Sequence, residues 1–212
     1  RQMCIRDRCT ILSGLYTKVK LGFPFLNRAK AEIGFAYGRL NDYYFQTSNM
    51  TFPNATTDHS WYDLFAGSLS IERNSLDYKQ YPISGRKQFL VAQYVTGTEK
   101  YMPSPITDMG SFDRKVHSWL QMKGEWEQYK TISPYFNLGF MSELVLSSKN
   151  LMNNYTASVL QAPAFTPTPH SQIVFNEAFR ANQYVAFGLS PILKFSKLLH
   201  FRLDMYGFAP LY

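Results

Sequence analysis

The chain predicts an all-β fold: an antiparallel, up-and-down transmembrane β-barrel segment of about eight strands. Three observations carry that expectation. Apolar and polar residues alternate with a period of two in segment after segment, as they must when each strand shows a different medium on each face. The connections between these segments alternate in length, running short, long, medium, long, short, long, short. An up-and-down outer-membrane barrel has brief turns at one membrane face and long loops at the other, whereas a soluble sandwich has no reason to sort its loops by parity. Aromatic residues make up 17% of the chain and charged residues also 17%. The charged fraction is below the roughly 25% of soluble domains, so much of the surface faces something other than water.

The first strand spans 15–25, with Leu15, Thr17, Val19, Leu21, Phe23 and Phe25 on one face and Tyr16, Lys18, Lys20 and Gly22 on the other. A short connection, Leu26 to Ala29, leads to a second strand over 30–44, where Ile33, Phe35 and Tyr37 oppose Glu32, Gly34, Ala36 and Gly38. Those small residues suit a packed lumen. A polar loop over 46–60 precedes the third strand, 61–73, and a turn rich in Asn, Asp, Pro and Gly separates it from the fourth, 86–101. The fourth has apolar groups on both faces (Phe89, Val91 and Val95 against Leu90, Ala92 and Tyr94), which predicts a partly packed interior.

A second long loop, 102–116, carries Pro103, Pro105 and Gly110. The fifth strand, 117–129, sets Leu120, Met122 and Trp126 against Gln121, Lys123, Glu125 and Glu127. After Ile132, Ser133 and Pro134 comes the sixth, with Phe136, Leu138, Phe140, Leu144 and Leu146 opposite Asn137, Gly139, Met141 and Glu143. Residues 149–182 are the longest irregular stretch, with a short helix expected over 174–179. The seventh strand is defined by Val185, Phe187, Leu189, Leu193 and Phe195. The eighth follows at once, with Leu199, Phe201, Leu203 and Met205 against His200, Arg202, Asp204 and Tyr206.

Desolvation orients the faces. A charge facing lipid at mid-membrane costs about 2–4 kcal/mol for Lys or Arg. Leu120, Met122, Phe136, Leu138, Phe140, Phe187, Leu189, Phe201 and Leu203 are therefore expected to point out of the wall, with Lys123, Glu125, Asn137, Glu143 and Arg202 pointing in. A soluble ligand-binding barrel, the all-β alternative, would bury those large apolar groups inside.

The turn after the third strand, Asn74, Ser75, Leu76, Asp77 through Pro82, Ile83, Ser84 and Gly85, resembles the Asn-x-Leu-Asp…Pro-x-x-Gly signature of the outer-membrane surface-antigen superfamily, which includes the Omp85-type assembly barrels. Within it, the stretch 73–97 and the later SWLQMKGEWEQYKTISPYFNLGF are most similar to the barrel half of bacterial patatin-like phospholipases. The resemblance implies a bacterial outer-membrane location, contact with outer-membrane lipid, and a covalently linked patatin domain upstream. In that case this segment is an anchor or translocator and the full-length protein a serine hydrolase. The family's barrels have roughly sixteen strands, with the signature turn inside the series, which implies an open half-barrel here. An Omp85-type assembly or secretion factor is the other family reading. It calls for an Arg-Gly-aromatic loop tip, from which Phe179, Arg180, Ala181 and Asn182 depart.

Other classes fit less well. The net charge of +7 would suit a nucleic-acid binder, but Lys and Arg are scattered singly, with no recognition motif, so no nucleic-acid partner is expected. No run approaches the ~18 apolar residues of a spanning helix. Cys4 and Cys9 both fall in the leader RQMCIRDRC, which excludes a disulfide framework in the rest of the chain. Residues 1–9 read as translated sequencing adaptor, leaving 10–212 as the barrel fragment.

No catalytic, cofactor or metal site is expected. The patatin pair, a Ser in Gly-x-Ser-x-Gly and an Asp before Gly, is missing: Gly67, Ser68, Leu69, Ser70 and Ile71 lack the second glycine. The four histidines, His59, His117, His170 and His200, have no metal spacing and read as loop or lumen groups. Lys123, Glu125, Glu127, Arg202 and Asp204 read as lumenal charges that offset one another's desolvation, with a proton relay as the sharper alternative. Acceptor patterns for N-glycosylation at Asn49, Asn54 and Asn154 fall in or beside long loops. Trp61, Tyr62, Tyr94, Tyr101, Tyr129, Tyr135 and Tyr184 lie near strand ends, where an interfacial aromatic girdle would place them.

Overall fold

A computed structural model describes residues 2–5, 8–44, 58–103, 113–150, 162–173, 176–196 and 199–211. The strands are β1 (Gln2–Ile5), β2 (Arg8–Leu26), β3 (Ala29–Tyr44), β4 (Asp58–Asn74), β5 (Gly85–Met102), β6 (Asp113–Ser133), β7 (Phe136–Ser147), β8 (Tyr184–Lys194), β9 (His200–Arg202) and β10 (Met205–Pro210). All pairings are antiparallel between neighbours in sequence, in the order β1 to β8 and then β10, with β9 also on β8. This is the expected up-and-down sheet, and it is open: among the described residues no ladder joins β1 or β2 to β9 or β10. The leader contributes β1 and the first residues of β2.

Several expected boundaries move: β2 already begins at Arg8 and β6 runs on to Ser133. β4 begins at Asp58 and β6 at Asp113, so the ends of both predicted long loops belong to strands. The eighth strand is broken into β9 and β10 without a change of register, since Arg202 pairs Ile192 and Met205 pairs Leu189. Pro191 sits opposite the break. It has no N–H to give the ladder, and only the Leu203 N–H to Pro191 O bond, 3.1 Å, crosses there. Of the expected helix, one 3₁₀ turn is described, Glu177–Phe179, capped by the Asn176 side chain accepting from the Ala178 N–H at 3.1 Å.

The two faces of the sheet differ as the alternation requires. One outer row runs Leu21, Ile33, Leu69, Ala92, Met122, Leu146 across six paired strands, and the next runs Phe23, Ala31, Ile71, Leu90, Gly124, Leu144, Val185. Neither contains a polar side chain. The adjoining inner row is Gly22, Glu32, Ser70, Val91, Lys123, Val145, Tyr184. Leu120, Met122, Phe140, Phe187, Leu189, Phe201 and Leu203 are exposed on the outside, while Asn137 and Glu143 are buried and Arg202 nearly so on the inside.

Two apolar clusters pack the inner face, so the interior is partly filled, as the fourth strand suggested. Tyr62, Val95 and Trp119 form one, with Leu40, Leu64 and Ala66 against it. The other is Val145, Phe165, Tyr184 and Ala186. Phe165 belongs to the irregular stretch after β7, which lies back on the wall with the Phe165 ring against Tyr184, Tyr206 and Phe208, while a bridge between Ala164 and Arg180 ties the two arms of that stretch to each other.

The turn between β4 and β5 shows why its residues are what they are. The Asp77 carboxylate accepts from the Tyr78, Ile83 and Ser84 N–H groups at 3.0, 3.1 and 3.2 Å, and Asn74 Oδ1 accepts from Leu76 N–H at 3.0 Å. Gly85 has φ +102°, and a Cβ there would lie 2.2 Å from Ser75 O. Only glycine fits. On β7, Gly139 leaves room for the Tyr129 ring, whose Cε1 a Cβ would meet at 2.3 Å.

Candidate functional site

The inner face of β5 to β10 carries a linked set of charges. Lys123 Nζ lies 2.9 Å from Glu125 and 3.0 Å from Glu143, and Lys87 reaches the other Glu125 oxygen at 2.8 Å. Glu143 also accepts from the Tyr184 hydroxyl. The pairs arise because inner-face residues of adjacent strands stand opposite or diagonal to one another: Glu125 pairs Glu143 across β6 and β7, and Lys123 and Lys87 are their diagonal neighbours.

A second set continues toward the turn end. Arg202 Nε donates to Asp204 Oδ1 at 2.7 Å, Ser190 Oγ to the same oxygen at 2.5 Å, and Arg202 Nη2 to Tyr129 Oη at 2.8 Å. Tyr129 Oη in turn donates a hydrogen bond to Glu127 Oε1 at 2.8 Å. Between the two sets lies a cavity of about 390 Å³, floored by these residues and roofed by Thr166 to Pro169 of the folded-back loop.

The five residues expected to share a lumenal network, Lys123, Glu125, Glu127, Arg202 and Asp204, therefore do line one cavity. The structure adds Lys87, Glu143, Tyr129 and Tyr184. Of these the sequence reading turned only Glu143 inward, and pairing all four with the network needed the register. Each of the cations Lys87, Lys123 and Arg202 is spent on a carboxylate, which supports mutual charge compensation.

Nearer the loop end a further pair emerges that sequence spacing did not bring together. His117 Nε2 lies 2.6 Å from Glu99 Oε2, both buried, and Tyr62 Oη donates to Glu99 Oε1 at 3.2 Å. Read from the sequence, His117 has no carboxylate near it. Across the ladder Gly97 pairs His117, which makes Glu99 its diagonal neighbour. His170 is exposed in the irregular stretch and His200 is exposed at the start of β9, whereas His59 lies between Tyr43, on which it stacks, and the tilted ring of Trp61, at ring distances of 4.0 and 3.6 Å. Among the described residues no group of His, Cys, Asp and Glu is arranged to hold a metal ion.

The girdle expectation needs correction. Tyr62, Tyr129 and Tyr184 are buried on the inner face, where their hydroxyls serve carboxylates, and Tyr101 turns inward to Asp58 at 3.1 Å. Their parity along the strand decides this, since a residue near a strand end faces lipid only on the outer phase. Trp61 and Tyr94 keep the outer phase, and Tyr135 is exposed in its turn. Asn49, Asn54 and Asn154 lie outside the described residues.

Lys149, just past β7, packs its ammonium 5.2 Å over the Trp119 ring. Burial lowers it to a pKa of about 8, against a smaller opposing pull from Glu99. The folded state thus holds this proton less tightly than the unfolded chain. Stability contributed at this position should therefore rise as pH climbs from about 8 toward 10.5, by on the order of 3 kcal/mol at most. Comparing the pH dependence of unfolding in the parent and in Lys149→Met checks this: the parent should gain on the variant over that window, and parallel curves would refute it.

Compared with known proteins, the chain matches no family model, no curated protein and no solved structure.

Proposed function

We propose that this chain forms part of the wall of a bacterial outer-membrane β-barrel, contacting lipid on its outer face, and that it anchors or translocates for a patatin-like phospholipase domain upstream. The observation that carries the membrane half of the reading is the uncharged outer belt. On β4 it lies between Asp63 and Arg73, about the 9–11 residues that a tilted spanning strand needs. Above it Asp63 pairs with Arg39 at 2.7 Å, so the first outward charges on that side occur as a pair at the rim. A water-facing wall would leave these apolar rows without a covering medium. The polar, ion-paired inner face is what a lumen calls for. The hydrolase half rests on the resemblance of the 74–85 turn and of the 118–140 stretch, and on that reading the chemistry belongs to the linked domain.

Two tryptophans on opposite faces of β6 test the membrane assignment. Trp126 is 43% exposed on the outside and Trp119 is 7% exposed on the inside. In single-tryptophan variants refolded into vesicles of brominated phospholipid, Trp126 fluorescence should be strongly quenched and Trp119 fluorescence nearly spared. Equal emission from both, with the protein left in the aqueous fraction, would overturn the reading. Reading the coding sequence upstream of Leu12 tests the hydrolase half: a Gly-x-Ser-x-Gly domain there supports it, and tandem periplasmic repeats alone would replace it with an assembly factor.

A further inference from the structure

The turn between β4 and β5 does not hang free at the end of the wall. It folds across the inner face: Asn137 Nδ2 on β7 donates to Ile83 O at 2.6 Å, and Arg202 Nη1 on β9 donates to Pro82 O at 2.9 Å. Arg202 also lies 5.7 Å over the Tyr81 ring and 5.1 Å over that of Tyr129. Tyr81 itself holds φ +53°, a conformation that a bulky residue adopts only when its surroundings impose it.

Arg202 and this turn divide the interior. On the loop side is the cavity of about 390 Å³ described above, and on the turn side, toward His200, is a second of about 370 Å³. Gln80, Tyr81 and Arg202 line both. Their side chains are thus the partition between the polar chamber and the smaller, aromatic-lined recess. From this we infer a further function, which rests on the barrel-wall reading: the inner face is a path for small hydrated ions, and the Arg202–Tyr81–Pro82 contact is the gate that closes it at the turn end.

The chemistry fits that class of solute. The walls of the larger chamber carry carboxylates and cations already paired with one another, so they offer a wet, charge-balanced passage rather than a tight site for one ligand, and the smaller recess beyond Arg202 is lined by Tyr78, Gln80, Tyr81 and His200. Arg202 is the wall's contribution to the closure. The turn keeps its own shape through Asp77, and it is latched to the wall by the Asn137 and Arg202 bonds, so losing Arg202 opens the partition while the Asn137 bond still holds the turn to the wall.

The test is ion efflux from vesicles of outer-membrane lipid carrying the refolded protein, comparing the parent with Arg202→Ala and with Tyr81→Gly. Tyr81→Gly removes the ring from beside Arg202, leaves every ion pair of the wall in place and suits the positive φ, so it keeps the question open to test where the arginine variant fails to fold. Both variants should raise efflux of small ions several-fold at equal incorporation, and Arg202→Lys, which keeps the charge but not the forked bonding, should fall between. Variants that incorporate like the parent and leave efflux unchanged would overturn the gate while leaving the wall reading intact. A parent that never enters the vesicles would overturn both.

Discussion

Leu120→Arg should abolish insertion into the outer membrane, while Gln121→Arg, its immediate neighbour, should insert nearly as well as the parent. Leu120 stands in an outer row with Val19, Phe35, Gly67 and Tyr94 and is 47% exposed. A guanidinium there would face lipid at a cost of about 2–4 kcal/mol. Gln121 lies on the opposite face, paired with Gln93 and Ser147, where an added cation meets polar side chains. Heat-modifiable mobility of membrane fractions on a gel reads the difference. Equal tolerance of both substitutions would show that the β6 side chains face like media, and the lipid-facing assignment would fall with it.

Lys123→Met should destabilise the wall by about 2 kcal/mol, less than the ~3–5 kcal/mol for one partner of a fully buried pair because Lys123 keeps 25% exposure. The loss comes from what stays behind. Glu143, 4% exposed, would keep its charge with the Tyr184 hydroxyl but without its ammonium, and Glu125 would retain only Lys87. Adding Glu143→Met should recover much of the stability, since two apolar groups of similar size leave no buried charge unpaired. Urea unfolding of the single and double variants checks this. A double variant no more stable than Lys123→Met alone would show that the pair's worth lies in packing.

Much of the wall was legible before any coordinates. Period-two alternation is a property of each strand by itself, so the outward phase of Leu120, Phe140, Phe187 and Phe201 and the inward phase of Lys123, Glu143 and Arg202 could be read from spacing alone. So could the up-and-down order, because short turns join neighbours and the long connections fall on alternate sides, whereas the open edge was an implication of the family resemblance. The aromatic girdle misled because nearness to a strand end was weighed without phase: Tyr62, Tyr129 and Tyr184 sit near ends but on the inner beat.

What the tertiary structure decided is who meets whom. Glu99 and His117 are partners only because Gly97 stands opposite His117, and sliding β5 by one residue against β6 would send the two side chains to opposite faces. Lys87 finds Glu125 for the same reason. Arg202 reaches the backbone of Pro82, on a turn far away in sequence, only because that turn folds inward over the face that Arg202 shares. Alternation is local and survives in the sequence. Register and the path of a turn are set by the sum of many weak cross-strand contacts, and no single stretch of residues spells them out.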